Sequence, residues 1–410
     1  MQLSEDKIPN ILFTYIILTV LPLFLENYSF FTFLARGTNL YSVYIYFLSL
    51  MLFLLLFKLN DFKINKNSLF LVYFITLSYV ISFFSGLKVG FEFSIILKTV
   101  FLSIITFTII CTYKAFYLTE EGLTNFMKKI LLFVIFASIF NLLINLDLLF
   151  YGTSSFFNKK QFASFFGNRN TFGMLLTVGI ISNIFLLFKE KKIIYLPVFL
   201  LLYWNVILTD STNSLLTSII FLIIFSMLIF RKKLIKKISF YFLGIALILF
   251  LYYKGFFDGV LSFIQEDDLT EFSGRPEIWQ AGLNTFIDNP LFGVGIGKSE
   301  HILSSSGLEV NQFHNEFIEI LVSGGIILLI IYLVLGLFLF IKLIELYSIN
   351  KLIGSTFLAA FFSLVFSMFF ESYGFFGIGF YSGIISIFYL FIPLIIINAH
   401  IGNKKWSEFR

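Results

Sequence analysis

Residues 317–341 read FIEILVSGGIILLIIYLVLGLFLFI, a run whose only charge is Glu319. A hydrocarbon core about 30 Å thick is crossed by roughly 20 apolar residues in a helix rising 1.5 Å per residue. This run is long enough. Similar runs recur near 10–25, 40–57, 68–86, 92–113, 130–148, 171–188, 193–209, 212–230, 238–254, 353–370 and 375–397. The other spanning architecture, the closed β-barrel, needs strands that alternate polar and apolar over ~10 residues. No run here alternates.

Composition agrees. Of 410 residues, 59% are hydrophobic and 13% charged, with mean hydropathy +0.94. A soluble chain would carry about 25% charged residues, and these are gathered between the apolar runs. The fold class is therefore an all-α polytopic membrane protein of about twelve spans. The sixty Phe residues serve as apolar filler. The first run lacks a basic start and a small-residue cleavage site, and reads as a retained span. The single Cys111 excludes an intrachain disulfide framework.

Orientation follows from Lys and Arg in the connections. With the N-terminus inside, the cytoplasmic loops hold Lys58, Lys63 and Lys66, then Lys114, Lys128 and Lys129, then Lys189, Lys191 and Lys192. The run Arg231, Lys232, Lys233, Lys236 and Lys237 follows, then Lys342 and Lys351, with Lys404, Lys405 and Arg410 in the tail. About 20 basic residues fall inside by this alternation and about 8 outside. Both termini are expected in the cytoplasm. The net charge of +5 reflects this topology and gives no sign of nucleic-acid binding.

The chain divides into a nine-helix membrane part (1–254), an outward loop (255–316) and a three-helix part with a short cytoplasmic tail (317–410). Loops as long as 255–316 are usually functional or disordered. This one begins with acidic residues Glu266, Asp267, Asp268 and Glu271. Arg275-Pro276 then opens a helix, with Pro suited to a first-turn position, and Asn289-Pro290 stops it. Trp279, Leu283, Phe286 and Ile287 recur at helical spacing, which predicts a short amphipathic helix along the outer interface. Gly293, Gly295 and Gly297 follow, a loop whose backbone can approach something closely. It is no dinucleotide fingerprint, because no strand precedes it.

His314 is expected in the first turn of the next span, at its outward end. Helix-start amides disfavour imidazolium and bind anions. Of the two other histidines, His400 is cytoplasmic and His301 lies in a polar loop. Glu371 with Tyr373, in the short outer turn between the last two spans, either faces the cavity or stands solvated, and the solvated turn carboxylate is the favoured reading. Lys98, about six residues into the fourth span, either snorkels outward or meets a phosphate.

The series Arg275, Trp279, Pro290, Gly293, Gly295, His314-Asn315 and Gly324-Gly325 resembles the O-antigen polymerase and O-antigen ligase superfamily. There an R-x-x-x-W segment, a P-x-x-G-x-G turn and an H-N helix start share one large periplasmic loop. The resemblance implies glycosyl transfer at the outer face of the cytoplasmic (inner) membrane. The donor and acceptor it implies are glycans linked to polyprenyl diphosphate, with a chain-length regulator protein as partner. Neither metal nor other cofactor is needed, since the diphosphate lipid is itself the leaving group. Adjacent carboxylates such as Glu266, Asp267 and Asp268 are poorly placed to share one metal ion, so a solvated acidic loop is expected there.

In this reading His314 is the base for an acceptor hydroxyl and Arg275 stabilises the departing diphosphate. Asn315 orients a sugar or the imidazole, and Gly293 and Gly295 line the substrate. Phe166-Gly167-Asn168-Arg169-Asn170 resembles the family's G-x-x-N segment, which makes Asn170 and either Lys160 or Arg169 candidate phosphate contacts. The family's Arg is out of register there, and another is missing beside Ser211. These departures favour a divergent member, a polymerase of repeat units for O-antigen or capsule. A ligase acting on a lipid A core is the alternative within the family. A flippase of the same units is the alternative outside it, opposed by the lack of related halves.

Overall fold

The computed structural model describes residues 7–27, 118–145, 162–166, 168–209, 211–230, 274–308, 310–373 and 384–402, with scattered positions between 44 and 58 and between 73 and 87. Lys98, Cys111, Lys160, Asp210 and the acidic residues at 266–268 lie outside the described residues. Among the described residues every regular element is helical. They are α1 (Lys7–Asn27), α2 (Glu120–Ile144), α3 (Arg169–Glu190), α4 (Tyr195–Leu208), α5 (Thr212–Ile229), α6 (Arg275–Asp288), α7 (Ser299–Ser305), α8 (Glu316–Ile349), α9 (Lys351–Ser367) and α10 (Ile392–Gly402). Of these, α2, α3, α5 and α8 are long and apolar enough to cross a membrane.

Two ends differ from expectation. The helix α2 begins at Glu120, ahead of its apolar run, because Thr119 caps it: the Gly122 amide donates to Thr119 Oγ1 at 3.0 Å. At the other end of the chain, α8 continues past Lys342, whose ammonium pairs with Glu345 at 2.8 Å within the helix. That pair satisfies the charge without ending the helix.

The chain folds as two compact units that interleave in sequence. One holds residues 127–275 and 350–367. Its centre is α3, buried at every position from Thr171 to Leu186. The start of α3 is set by Asn168, whose side-chain oxygen accepts from the amides of Asn170 and Thr171 at 2.9 and 3.1 Å. Its end is set by Lys191 in a left-handed conformation. Fully buried Asn141 donates to Asn205 Oδ1 at 3.0 Å and accepts from the Ser164 amide at 2.9 Å. In an apolar surrounding such groups must satisfy one another.

At one end of this unit Lys128 pairs with Glu190 at 2.5 Å, and Lys351 donates to the Ile229 carbonyl at 2.8 Å. At the other end Ser211 donates to Asn170 Oδ1, and Ser367 to Asn213 Oδ1, each at 3.0 Å. These contacts join connections that the charge alternation assigns to the same side.

The other unit holds residues 1–126, 276–349 and 368–410, and so contains α1, α6 from Pro276 onward, α7, α8 and α10. Its longest helix is broken. Gly325 sits at φ 63°, ψ −164°, inside α8. An unbroken helix would bond the carbonyls of Val322 and Ser323 to the amides of Ile326 and Ile327. Instead, the Val294 and Gly295 amides donate to those carbonyls at 2.8 and 3.1 Å. The Ile326 and Ile327 amides donate to the Pro290 and Leu291 carbonyls at 2.9 and 3.4 Å. The glycine loop after α6 is thus spliced into the hydrogen-bond ladder of a membrane helix. The two carbonyls and two amides that the break would free are thereby paired, which is the condition for irregular backbone in apolar surroundings.

Candidate active site

The splice decides what Gly293 and Gly295 do. Both are buried with positive φ, and a Cβ on Gly293 would stand 2.3 Å from the Val322 carbonyl oxygen. The close approach that the sequence suggests is made to the backbone of α8.

The helix α6 runs from Arg275 to Asp288, as expected from Arg275-Pro276 and Asn289-Pro290. Its apolar residues divide between two faces. Ile278 and Gly282 are buried against Phe313, Ile318 and Val322, while Leu283 and Ile287 stay exposed. The amphipathic reading put Trp279, Leu283, Phe286 and Ile287 on one face, but the packing face is centred one residue earlier. The absence of a side chain at Gly282 lets α8 come close there. The Trp279 indole donates to the Phe313 carbonyl at 3.0 Å. Arg275, half-buried, opens α6 one turn before Trp279.

His314 does not lie in the first helical turn. Asn315 caps α8: its side-chain oxygen accepts from the Phe317 and Ile318 amides at 3.0 and 3.1 Å. Asn is a strong cap former because its short side chain reaches those amides. His314 therefore precedes the cap, with φ 50°. A left-handed conformation is uncommon for a residue with a Cβ and persists where surrounding contacts impose it.

Those contacts come from the turn after α9. Glu316 N donates to the Met368 carbonyl at 2.9 Å, and Tyr373 N donates to the buried Glu316 carboxylate at 2.6 Å. Asn315 N donates to Ser372 Oγ, and its side-chain nitrogen to the Phe369 carbonyl, both at 3.1 Å. Phe317 packs on Phe369 with ring centroids 4.7 Å apart. The Asn315 amide is thus occupied by the cap and by this turn.

The same turn carries Glu371, and here the expectation of a solvated carboxylate is overturned. Glu371 is 2% exposed, and its Oε1 lies 3.2 Å from His314 Nδ1. Gln312 donates to the same oxygen at 2.8 Å. The bonds that hold residues 368–373 against the start of α8 fold the carboxylate inward. The His314 ring remains 27% exposed. Sequence spacing could not reveal this pair, because 57 residues separate its members. The signal available was a carboxylate in a very short turn between two apolar runs.

Arg169 and Asn170 lie in the other unit, at the start of α3, both half-buried. The Asn170 side-chain oxygen accepts from the Ser211 hydroxyl. Lys98 and Lys160 fall outside the described residues. Among the described residues no three His, Cys, Asp or Glu side chains are grouped to hold a metal ion.

Residues 196–333 match the family model described as O-antigen ligase. The match takes in Arg275, Gly293, Gly295, His314 and Asn315, and leaves Arg169 and Glu371 outside. No curated protein matches the chain.

Proposed function

For a chain whose residues 196–333 match the family model described as O-antigen ligase, we propose a polymerase of polyprenyl-diphosphate-linked oligosaccharide repeat units. It works at the outer face of the cytoplasmic membrane, with about twelve spans and both termini inside. The observation that carries the reading is His314, imposed in a left-handed backbone with its ring edge open, inside the segment that the family match covers.

The reaction joins an acceptor sugar hydroxyl to the anomeric carbon of the donor glycan. His314 takes the hydroxyl proton as the new C–O bond forms and the bond to the lipid diphosphate breaks. The electron pair of that bond leaves with the diphosphate. Arg275 meets the charge that gathers there, through paired N–H donors of fixed geometry. No metal is required for this route. Asn315 and the glycines hold the two segments in place, while the exposed Leu283 and Ile287 give α6 an apolar edge for the bilayer surface.

Two tests address the parts. Arg275→Ala should lower transfer by about 10²-fold or more, as loss of one well-placed donor does. Arg275→Lys should recover only part of it, since a point charge does not replace two parallel hydrogen bonds. Full activity in the Lys variant would reduce Arg275 to a general field. Orientation is checked with cysteines introduced at Asp268 and Ser305 in a Cys111→Ser background. Both should react with an impermeant maleimide in intact cells, or in spheroplasts where an outer membrane intervenes. Reaction only after lysis would place the loop on the wrong side.

The ligase reading is the second one, favoured by the description of the matching family. A deletion strain separates the two. Single repeat units on carrier lipid mean polymerase, and full-length polymer left on carrier lipid means ligase.

A further inference from the structure

We propose that Glu371 is a positioning residue that holds the proton of neutral His314 on Nδ1, leaving Nε2 as the atom that accepts the proton from the acceptor sugar. The inference rests on the transferase reading of His314 and adds the tautomer and the group that sets it.

A carboxylate offers only acceptors, and the 2.8 Å bond from Gln312 marks Oε1 as an accepting oxygen. Its 3.2 Å approach to His314 Nδ1 is a hydrogen bond when that nitrogen carries the proton. The alternative tautomer would set a bare Nδ1 lone pair against a carboxylate oxygen, two acceptors facing each other. Among the described residues the donor that faces it is Gln312 Nε2 at 3.4 Å, long for a hydrogen bond and already engaged with Glu371. At 2% exposure the carboxylate has little water to accept from and needs the protein's own donors.

The backbone of His314 is held by the Asn315 cap on one side and by the Trp279 bond to Phe313 on the other, and the ring contacts Gln312 and Glu371 through Nδ1. With Nδ1–H on Glu371, the Nε2 lone pair points away from the carboxylate. As Nε2 takes the acceptor's proton, the ring becomes imidazolium, and the Glu371 charge lies against it in the transition state. The same division of labour is familiar from Ser-His-Asp sites, where the carboxylate acts through the imidazole.

The test uses full-length protein in nanodiscs, purified through a tag free of histidine, with ¹⁵N-histidine labelling. His301→Gln and His400→Gln leave one labelled ring. Nitrogen shifts of the neutral ring should report Nδ1–H for His314, and Glu371→Ala should move the population toward Nε2–H. In the transfer assay Glu371→Ala should lower kcat by about 10²–10⁴-fold, the span of a general-base contribution, with KM changed less than about threefold. Glu371→Gln keeps an acceptor oxygen for Nδ1–H, so it should hold the tautomer and fall between wild type and Ala in kcat. This variant also decides the matter where the Ala variant does not fold. An Nε2–H tautomer in the wild-type ring would overturn the proposal, as would a Glu371→Ala variant with undiminished kcat. The spectrum needs no substrate, so a wild-type protein that transfers no glycan would fail the transferase reading alone.

Discussion

His314→Ala is expected to abolish surface polymer while leaving protein level and lipid-linked substrate intact. A general base contributes typically 10²–10⁴-fold, and a loss of that size removes visible polymer from a gel. His314→Gln should be nearly as inactive, because an amide keeps a hydrogen-bond partner for Glu371 but accepts no proton near neutral pH. The measurement is a glycan gel of cells carrying each variant in a deletion background, with membrane levels of the protein alongside. Abundant polymer from His314→Gln would reduce His314 to a positioning residue.

Gly325→Ala is expected to cost the protein its fold rather than its chemistry. A Cβ there would stand 2.3 Å from the Leu291 carbonyl oxygen, in a backbone at φ 63° that disfavours any side chain. Backbone strain of this kind costs about 1–3 kcal/mol, and overpacking adds typically another 1–3 kcal/mol. Against a total stability of about 5–15 kcal/mol, such a loss should show as poor yield or a lowered melting temperature in detergent. Gly336, on the same helix, has nothing within 4 Å of a Cβ. Gly336→Ala should therefore leave stability unchanged or slightly raised, since Ala is the better helix former. Equal behaviour of the two variants would show that the splice between the loop and α8 matters little.

How far the sequence could be read depends on the range of the interaction. The spans are local, and apolar runs near 171–188 and 212–230 coincide with α3 and α5 within two residues at each end. The limits of α6 were equally legible, since Pro and Asn act on their own backbone. What escaped depends on partners far along the chain. Gly325 breaks α8 because carbonyls from 290–291 replace its own, and nothing in FIEILVSGGIILLI announces that exchange beyond the two adjacent glycines. Glu371 read as solvent-facing because turn carboxylates usually are. Its burial follows from bonds that Asn315 and Glu316 make with residues 368–373, which no spacing rule connects. His314 and Asn315 both stand out in the sequence, but the cap that Asn315 makes does not. The two bonds that Asn315 Oδ1 accepts from the Phe317 and Ile318 amides set the helix start past His314.

The transferase reading meets its most direct test in a reconstituted reaction. Purified protein in vesicles is given a synthetic repeat unit on polyprenyl diphosphate, and elongated glycan and freed polyprenyl diphosphate are measured together. One freed lipid diphosphate for each glycosidic bond formed, lost in His314→Gln, is the expected result. Passage of the intact lipid-linked unit across the vesicle membrane with no bond cleaved would contradict it.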